Sequence, residues 1–196
     1  MKPDKVILGI DPGTQMLGWG VIGIYGNKTH YISMGVFNLK KEIDHFSKIA
    51  SVYREVDALI IKYKPDELAI EAPFYGKNIQ SMLKLGRAQG AAISAALNHN
   101  MPITEYAPKK VKMSITGKGA ASKEQVATVL LSILAVEDKP GSYDATDGLA
   151  VAFCHCLNRS SLINESTVKS SLSGTSKGKA GGSWDAFVKN NPSRIK

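Results

Sequence analysis

The stretch from Val6 to Ile22, VILGIDPGTQMLGWGVI, constrains the fold more than any other part of the chain. It reads as a buried strand that ends on an acid, Asp11, followed by a Pro12-Gly13 turn and a second strand. Strands over 6–11, 18–25 and 29–37 are punctuated by Pro12-Gly13 and Gly26-Asn27, and connections this tight favour an antiparallel meander. Helical spacing then runs over 43–63, with Phe46, Ile49, Ala50, Tyr53, Val56, Ile60 and Tyr63 on one side, and stops at Pro65. A short apolar strand over 68–72 carries Glu71 near its exit. After it come a helical pattern over 78–98, a short strand over 102–106 and a helical turn over 109–114. A helix over 123–135 with Ser122 as N-cap follows, then a break at EDKPGS and a last helix over 143–157. A meander followed by helices alternating with more strand predicts an α/β layer design with a mixed sheet.

A chain of 196 residues, 43% of them hydrophobic, supports one substantial domain plus a tail. Beyond Asn158 the composition turns to Ser, Gly, Lys and Asn. The expected division is a folded domain over 1–158 and a basic, largely disordered tail over 159–196. Within that tail SWDAFVK, 183–189, is a short amphipathic patch. No apolar run approaches the ~20 residues of a membrane span, and Met1-Lys2-Pro3-Asp4-Lys5 lacks a signal-like apolar region. Cys154 and Cys156 sit two apart on a predicted helix, where their side chains diverge and cannot easily bridge. These features predict a cytoplasmic protein with no membrane partner.

The formal net charge of +8 is unevenly distributed. Between Ala72 and Lys123 stand Lys77, Lys84, Arg87, Lys109, Lys110, Lys112, Lys118 and Lys123, with Glu105 the only acid. An ordinary solvated face mixes its signs, so this tract points to a polyanion-binding surface, with chance clustering as the alternative.

Four acids stand at element ends. Asp144 and Asp147, three apart at the start of a helix, share one face, although acids also favour a first helical turn for dipole reasons. Glu71 lies in an apolar strand, where an unpaired carboxylate is costly to bury, and pairing with a Lys is the alternative. Asp11 has a plain reading as an Asx-turn residue. Jointly they suggest one cation site. Clustered carboxylates repel unless a cation neutralises them, and hard oxygen ligands select Mg²⁺ or Mn²⁺. Two such ions about 3.5–4 Å apart would activate water, orient a phosphate and stabilise the departing oxygen.

Asp11 in GIDPGT, Glu71 in AIEAPF and the pair in DATD resemble the catalytic acids of the bacterial RuvC Holliday junction resolvases. KNIQSMLKLGRAQGAAI and the lysine-rich segment ending SKEQV resemble the same family, and the likeness covers roughly 5–156. It implies an RNase H-like fold, a five-stranded mixed sheet with helices on both faces. It implies a homodimer that nicks opposing strands of a four-way junction with Mg²⁺, for which Mn²⁺ substitutes, at two ions per active site. It also implies cooperation with a branch-migration helicase. By position, Asp11, Glu71, Asp144 and Asp147 are the implied catalytic and metal-binding acids. Phe74 matches an aromatic that contacts a base near the junction point, and Lys112 and Lys123 match lysines engaged with phosphate or the catalytic centre. Some relatives have His where this chain has Asp144.

The residues themselves agree with these roles without compelling them. Phe74 follows a strand end and precedes Gly76-Lys77, so it is placed either to stack on a base, worth about 1–3 kcal/mol, or to cap the core. Lys77, Lys84, Arg87, Lys109, Lys112, Lys118 and Lys123 are the candidate DNA contacts, able to neutralise phosphates without reading sequence. Gly117 and Gly119 let their loop approach a backbone closely, or are ordinary turn glycines. Gly86, Ala88, Gly90, Ala91, Ala92, Ser94 and Ala95 permit close helix packing, either on the sheet of the same chain or on a second subunit. Two rival functions stand beside the nuclease. An actin-like phosphotransferase or ATPase explains Asp11 and Gly13-Thr14 but needs a second phosphate loop. A module that binds branched DNA without cutting it leaves the four acids unused.

Overall fold

The computed structural model describes residues 2–73, 78–137 and 141–171, with side-chain surroundings to residue 159. Three strands open the chain: β1 (Lys5–Asp11), β2 (Met16–Tyr25) and β3 (Lys28–Asn38). They pair antiparallel in sequence order, as the tight turns require. Helix α1 (His45–Tyr63) returns the chain to β4 (Glu67–Glu71), which pairs parallel with β1. Helix α2 (Ile79–Asn98) then leads to β5 (Ile103–Tyr106), parallel to β4. The five-stranded mixed sheet has the order β3-β2-β1-β4-β5, so β1 is its centre and is buried on both faces.

Alternation along the strands sorts the core into two layers. Leu8, Ile10, Leu17, Val21, Leu68 and Ile70 face α1 and α2. Ile7, Ile22 and Ala69 face the other side, covered by α3 (Pro108–Thr116), α4 (Lys123–Ile133) and α5 (Tyr143–Ser171). The expected α/β layer design with helices on both faces is what the chain adopts.

Element ends follow local chemistry. Asp44 Oδ1 accepts from the N–H groups of Phe46 and Ser47 at 2.7 and 2.9 Å, so α1 begins at His45 and not at Ile43. Lys64, with φ 47° ahead of Pro65, ends it. Ser122 is the N-cap of α4, in a reciprocal capping box with Gln125. Gly117, with φ 70°, ends α3.

The last helix departs from expectation. It runs to Ser171, beyond the end expected at Leu157, because 158–171 contains neither Gly nor Pro to stop it. The chain divides into a unit over Met1–Ser160 and another over Ser161–Lys196, of which only helical backbone to Ser171 is described. The patch at 183–189 lies outside the described residues.

α5 lies against the β1–β2 hairpin at van der Waals limits. A Cβ at Gly9 would come within 2.3 Å of the Gly148 carbonyl oxygen, one at Gly18 within 1.9 Å of the Asp144 carbonyl oxygen, and one at Gly20 within 2.3 Å of Leu149 Cα. From the helix side, a Cβ at Gly148 would lie 2.4 Å from the Trp19 backbone. Gly9 pairs with Gly20 and Asp11 with Gly18 across the ladder, so a flat patch of glycine receives the helix beside Asp11.

Candidate active site

The parallel pairing of β1 with β4 matches Ile10 to Ile70, which makes Asp11 and Glu71 the next residues at the same edge of the sheet. Both project to the α5 side, continuing the alternation of Ile7 and Gly9 and of Ala69. The first turn of α5 brings Asp144 and Asp147 there, because the glycine patch allows the helix to lie so low. Asp11, Glu71, Asp147, Lys112 and Lys123 line one cavity of about 90 Å³, floored by Val111, Val126 and Ala150. Asp11 and Glu71 also line a neighbouring cavity with Pro12, Pro73 and Leu85, toward α2.

Electrostatics within this cavity are unbalanced. Burial raises the Asp11 carboxyl to about 7, with Asp147 and Asp144 adding to the rise and Lys123 opposing it. Burial, then the charges of Asp11 and Asp147, raises Glu71 to about 8 against the pull of Lys123 and Lys112. Asp147 is also raised by burial, although the hydrogen bond from Lys123 works against this. Burial disfavours the Lys123 ammonium, but its hydrogen bond to Asp147 and the charges of Asp147, Asp11 and Asp144 hold its pKa above the ordinary lysine value. Lys123 Nζ donates to Asp147 Oδ2 at 2.5 Å and lies 3.4 Å from Asp144 Oδ1. Two lysines do not neutralise four acids, and only Lys123 is within ion-pair distance of any of them among the described residues.

Neighbours hold several of these groups in place. Ser142 Oγ donates to Asp144 Oδ2 at 3.1 Å while accepting from the Asp144 N–H. Gln89, on α2, donates to the Glu71 carbonyl oxygen at 3.4 Å and to Glu105 at 3.3 Å. Lys112 donates to the Ala121 carbonyl oxygen at 2.8 Å, tying α3 to the loop before α4.

The donor set fits a hard divalent cation. The ionisable oxygen donors lining the cavity are all carboxylates, none of its described lining residues is His or Cys, and the raised carboxyls are groups whose ionised form lacks compensation that a bound dication would supply. Among the described residues no group of three or more His, Cys, Asp or Glu is arranged to hold an ion as it stands. Two of the four acids instead engage the ammonium of Lys123. Asp11, Glu71, Asp144 and Asp147 would be the groups to hold a metal.

The candidate DNA contacts distribute unevenly. Lys112 and Lys123 reach the cavity. Arg87 is exposed and lines a shallow cleft with Pro73, Met82, Leu83 and Gly86, adjoining the strand end that carries Glu71. Lys84 and Lys118 are exposed, and Lys109 is exposed with its stem against Gly119. Phe74 and Lys77 lie outside the described residues.

The small residues of α2 divide between the two roles left open for them. Ala88, Ala91, Ala92 and Ala95 are buried in this chain's own core, whereas a Cβ at Gly86 or Gly90 would meet nothing within 4 Å. Cys154 and Cys156 are buried, unbridged thiols.

Sequence reasoning missed the glycines that seat α5. Their signal was present: Gly9 and Gly18-x-Gly20 recur at strand period, and Gly148 directly follows Asp147. It missed Ser142 and Gln89 as well, which carry no local pattern.

The family described as "Crossover junction endodeoxyribonuclease RuvC" matches residues 7–155. A protein of that name from Bacteroides fragilis is 51% identical over 195 residues, covering 98% of this chain and 97% of the relative. Another from Christiangramia forsetii is 50% identical over 196 residues, covering 100% and 95%. Among solved structures, the Thermus thermophilus RuvC in complex with Holliday junction substrate superposes with a TM-score of 0.70 at 29% identity. That match covers 77% of this chain and 92% of the other.

Proposed function

This chain belongs to the RuvC family of crossover junction endodeoxyribonucleases, and from that premise we propose that Asp11, Glu71, Asp144 and Asp147 are the acids with which it cuts four-way DNA. The enzyme is a Holliday junction resolvase of recombination and repair, a metal-dependent phosphodiester hydrolase. The observation that carries the site assignment is the convergence of strand-end and helix acids, three of them with raised pKa, on one cavity beside two lysines. The metal is Mg²⁺, with Mn²⁺ able to substitute, at two ions per site. Bound there, divalent ions supply charge neutralisation and polarised water for hydrolysis at the phosphate.

The chain's own residues do the rest. Glycine-seated α5 fixes the Asp144 and Asp147 side against Asp11, which lowers the reorganisation needed at the moment of reaction. Lys112 and Lys123 meet the scissile region's phosphates, while Lys84, Arg87, Lys109 and Lys118 neutralise flanking backbone. For Phe74 the role is the one the family resemblance implies, contact with a base near the junction point, and for Lys77 it is the one its place in the basic tract implies, contact with the backbone.

A homodimer suits a nearly symmetric junction that needs paired cuts. Ile79, Leu83, Gly86 and Gly90 recur at helical spacing on α2, and Ile79 and Leu83 are 65% and 49% exposed, which supports this stripe as the contact between copies. Family membership supports cooperation with a branch-migration helicase in the cytoplasm. Among the described residues no helix is long and apolar enough to cross a membrane.

A synthetic four-way junction with Mg²⁺ tests the proposal. Metal-dependent, symmetrically placed nicks by the native chain, absent from Asp11→Asn, are expected. Junction binding with no nicking in Mg²⁺ or Mn²⁺ would leave the reading of a non-cleaving branched-DNA module instead.

A further inference from the structure

We infer that Lys123 is a built-in cation occupying the carboxylate cradle before metal arrives, so that metal loading requires this lysine to withdraw and the DNA phosphate gives it somewhere to go. The inference rests on the assignment of Asp11, Glu71, Asp144 and Asp147 as metal-binding acids.

Lys123 is the first residue of α4, inside the Ser122–Gln125 capping box, so its backbone is anchored while its side chain is half exposed. The ammonium takes oxygens of both α5 acids, at 2.5 Å from Asp147 and 3.4 Å from Asp144. Exposure divides the pair sharply: the Asp147 side chain is 16% exposed and that of Lys123 is 52%. The acid belongs to the wall and the lysine reaches in from solvent. Swinging it back disturbs no core packing.

An ammonium offers three donors and a single charge. A divalent cation offers twice the charge and gathers about six oxygens. The two compete, because the ammonium engages Asp147 Oδ2 and Asp144 Oδ1 and its charge repels a dication placed among them, so metal affinity in the absence of DNA is reduced by whatever Lys123 contributes in its pairs. Lys112, the other lysine of the cavity, donates to the Ala121 carbonyl oxygen at 2.8 Å, which anchors it while leaving donors for phosphate. When a DNA backbone enters, its phosphate is an alternative anion for the released ammonium. DNA thereby favours metal binding, and by linkage metal favours DNA by the same factor.

The test uses the full chain and Mn²⁺, titrated without DNA by electron paramagnetic resonance. Lys123→Met, which keeps the stem and removes the charge, is expected to bind Mn²⁺ roughly tenfold more tightly than the parent, about 1.4 kcal/mol. Lys123→Arg, which keeps the charge, is expected to stay near the parent. With a phosphorothioate junction present, the advantage of Lys123→Met should shrink to less than about threefold as phosphate draws the parent's lysine away.

A second readout needs no variant. Acetylation of Lys123 in the parent, followed by mass spectrometry, should be slow in EDTA and several-fold faster with Mn²⁺. Unchanged or weaker Mn²⁺ binding by Lys123→Met, or Lys123 acetylation indifferent to metal, overturns the inference. The underlying assignment fails separately: if Asp11→Asn and Asp147→Asn both bind Mn²⁺ like the parent, ions bind elsewhere, whatever Lys123 does.

Discussion

The same three elements, β1, β4 and α5, meet at both ends of the sheet with opposite electrostatics. At the start of β4, Glu67 is surrounded by donors. Lys5 pairs with one carboxylate oxygen, and the other takes the His155 ring nitrogen Nε2 at 2.6 Å and Arg159 Nε at 3.3 Å. The far side of the imidazole meets the Tyr106 hydroxyl at 2.9 Å. Burial alone would raise the Glu67 carboxyl, but the hydrogen bonds from Lys5 and His155 and the charge of Arg159 outweigh it and leave it lowered. At the other end two lysines, Lys123 in direct contact and Lys112 at longer range, stand against four acids, and Asp11 and Glu71 rise to about 7 and 8. Where the fold needs only stability, buried charge is compensated. At the proposed metal site, by contrast, compensation within the chain is incomplete.

Four variants or conditions can break or sharpen that contrast. The largest effect belongs to Asp147→Asn, expected to lower junction cleavage by about 10²–10³-fold, the scale seen when a charge-stabilising group is removed from an active site. Its metal-free stability should be unchanged or higher, since a strained carboxylate has gone. Cleavage within a fewfold of native would remove Asp147 from the site.

Glu67→Ala should do the reverse. Removing Glu67 strands Lys5 and the His155–Arg159 side, and with Lys5 and Arg159 partly in solvent the cost is on the order of 2–3 kcal/mol in urea unfolding. Metal affinity should not change. A variant as stable as the parent would show that the compensated end contributes nothing.

Gly148→Ala touches both ends, because the added methyl lies 2.4 Å from the Trp19 backbone and lifts α5 off the sheet. Overpacking of this kind costs on the order of 2 kcal/mol, and Mn²⁺ affinity should fall with stability. Lost stability with native affinity would mean that the helix seat does not position the acids.

The smallest effect is in pH. Asp11 and Glu71 have raised native pKa values, so between the ordinary carboxylate range and about 8 the native state holds protons that the unfolded chain has released. Their contribution is present in full below the ordinary carboxylate pKa and is lost as pH rises through about 7 and 8. Glu67, lowered, contributes in the opposite sense, and its share is lost only in acid. In EDTA, stability from pH 5 to 9 should therefore fall by on the order of 2 kcal/mol, a value discounted for coupling between the acids. Asp11→Asn should flatten the slope and millimolar Mg²⁺ should reverse it. A metal-free stability that climbs across this range would contradict the contrast between the two ends.

Much of the architecture was legible before any coordinates. Turn chemistry at Pro12-Gly13 and Gly26-Asn27 set the meander, Ser122 the start of α4, and Pro65 the end of α1, because each acts on its own few residues. The four acids were candidates on two grounds, their places at strand and helix ends and the resemblance of GIDPGT, AIEAPF and DATD to one family's motifs. The end of α5 was misjudged because composition marks a tail, whereas a helix already nucleated continues until a breaker stops it.

Glu67 shows the limit from the other side. In PDELAIE it reads as an ordinary strand-entry acid, yet its partners come from Lys5, His155 and Arg159, as far apart in the chain as the structure's described unit allows. Likewise no spacing revealed that Gly9, Gly18, Gly20 and Gly148 would share one contact plane. The sequence by itself determined which segments pair locally, where they stop, and that the acids are hard oxygen donors. Only the tertiary structure decided which acids lack cations and which are surrounded by them. Coulomb and contact energies depend on distance in space, and separation along the chain does not encode that distance.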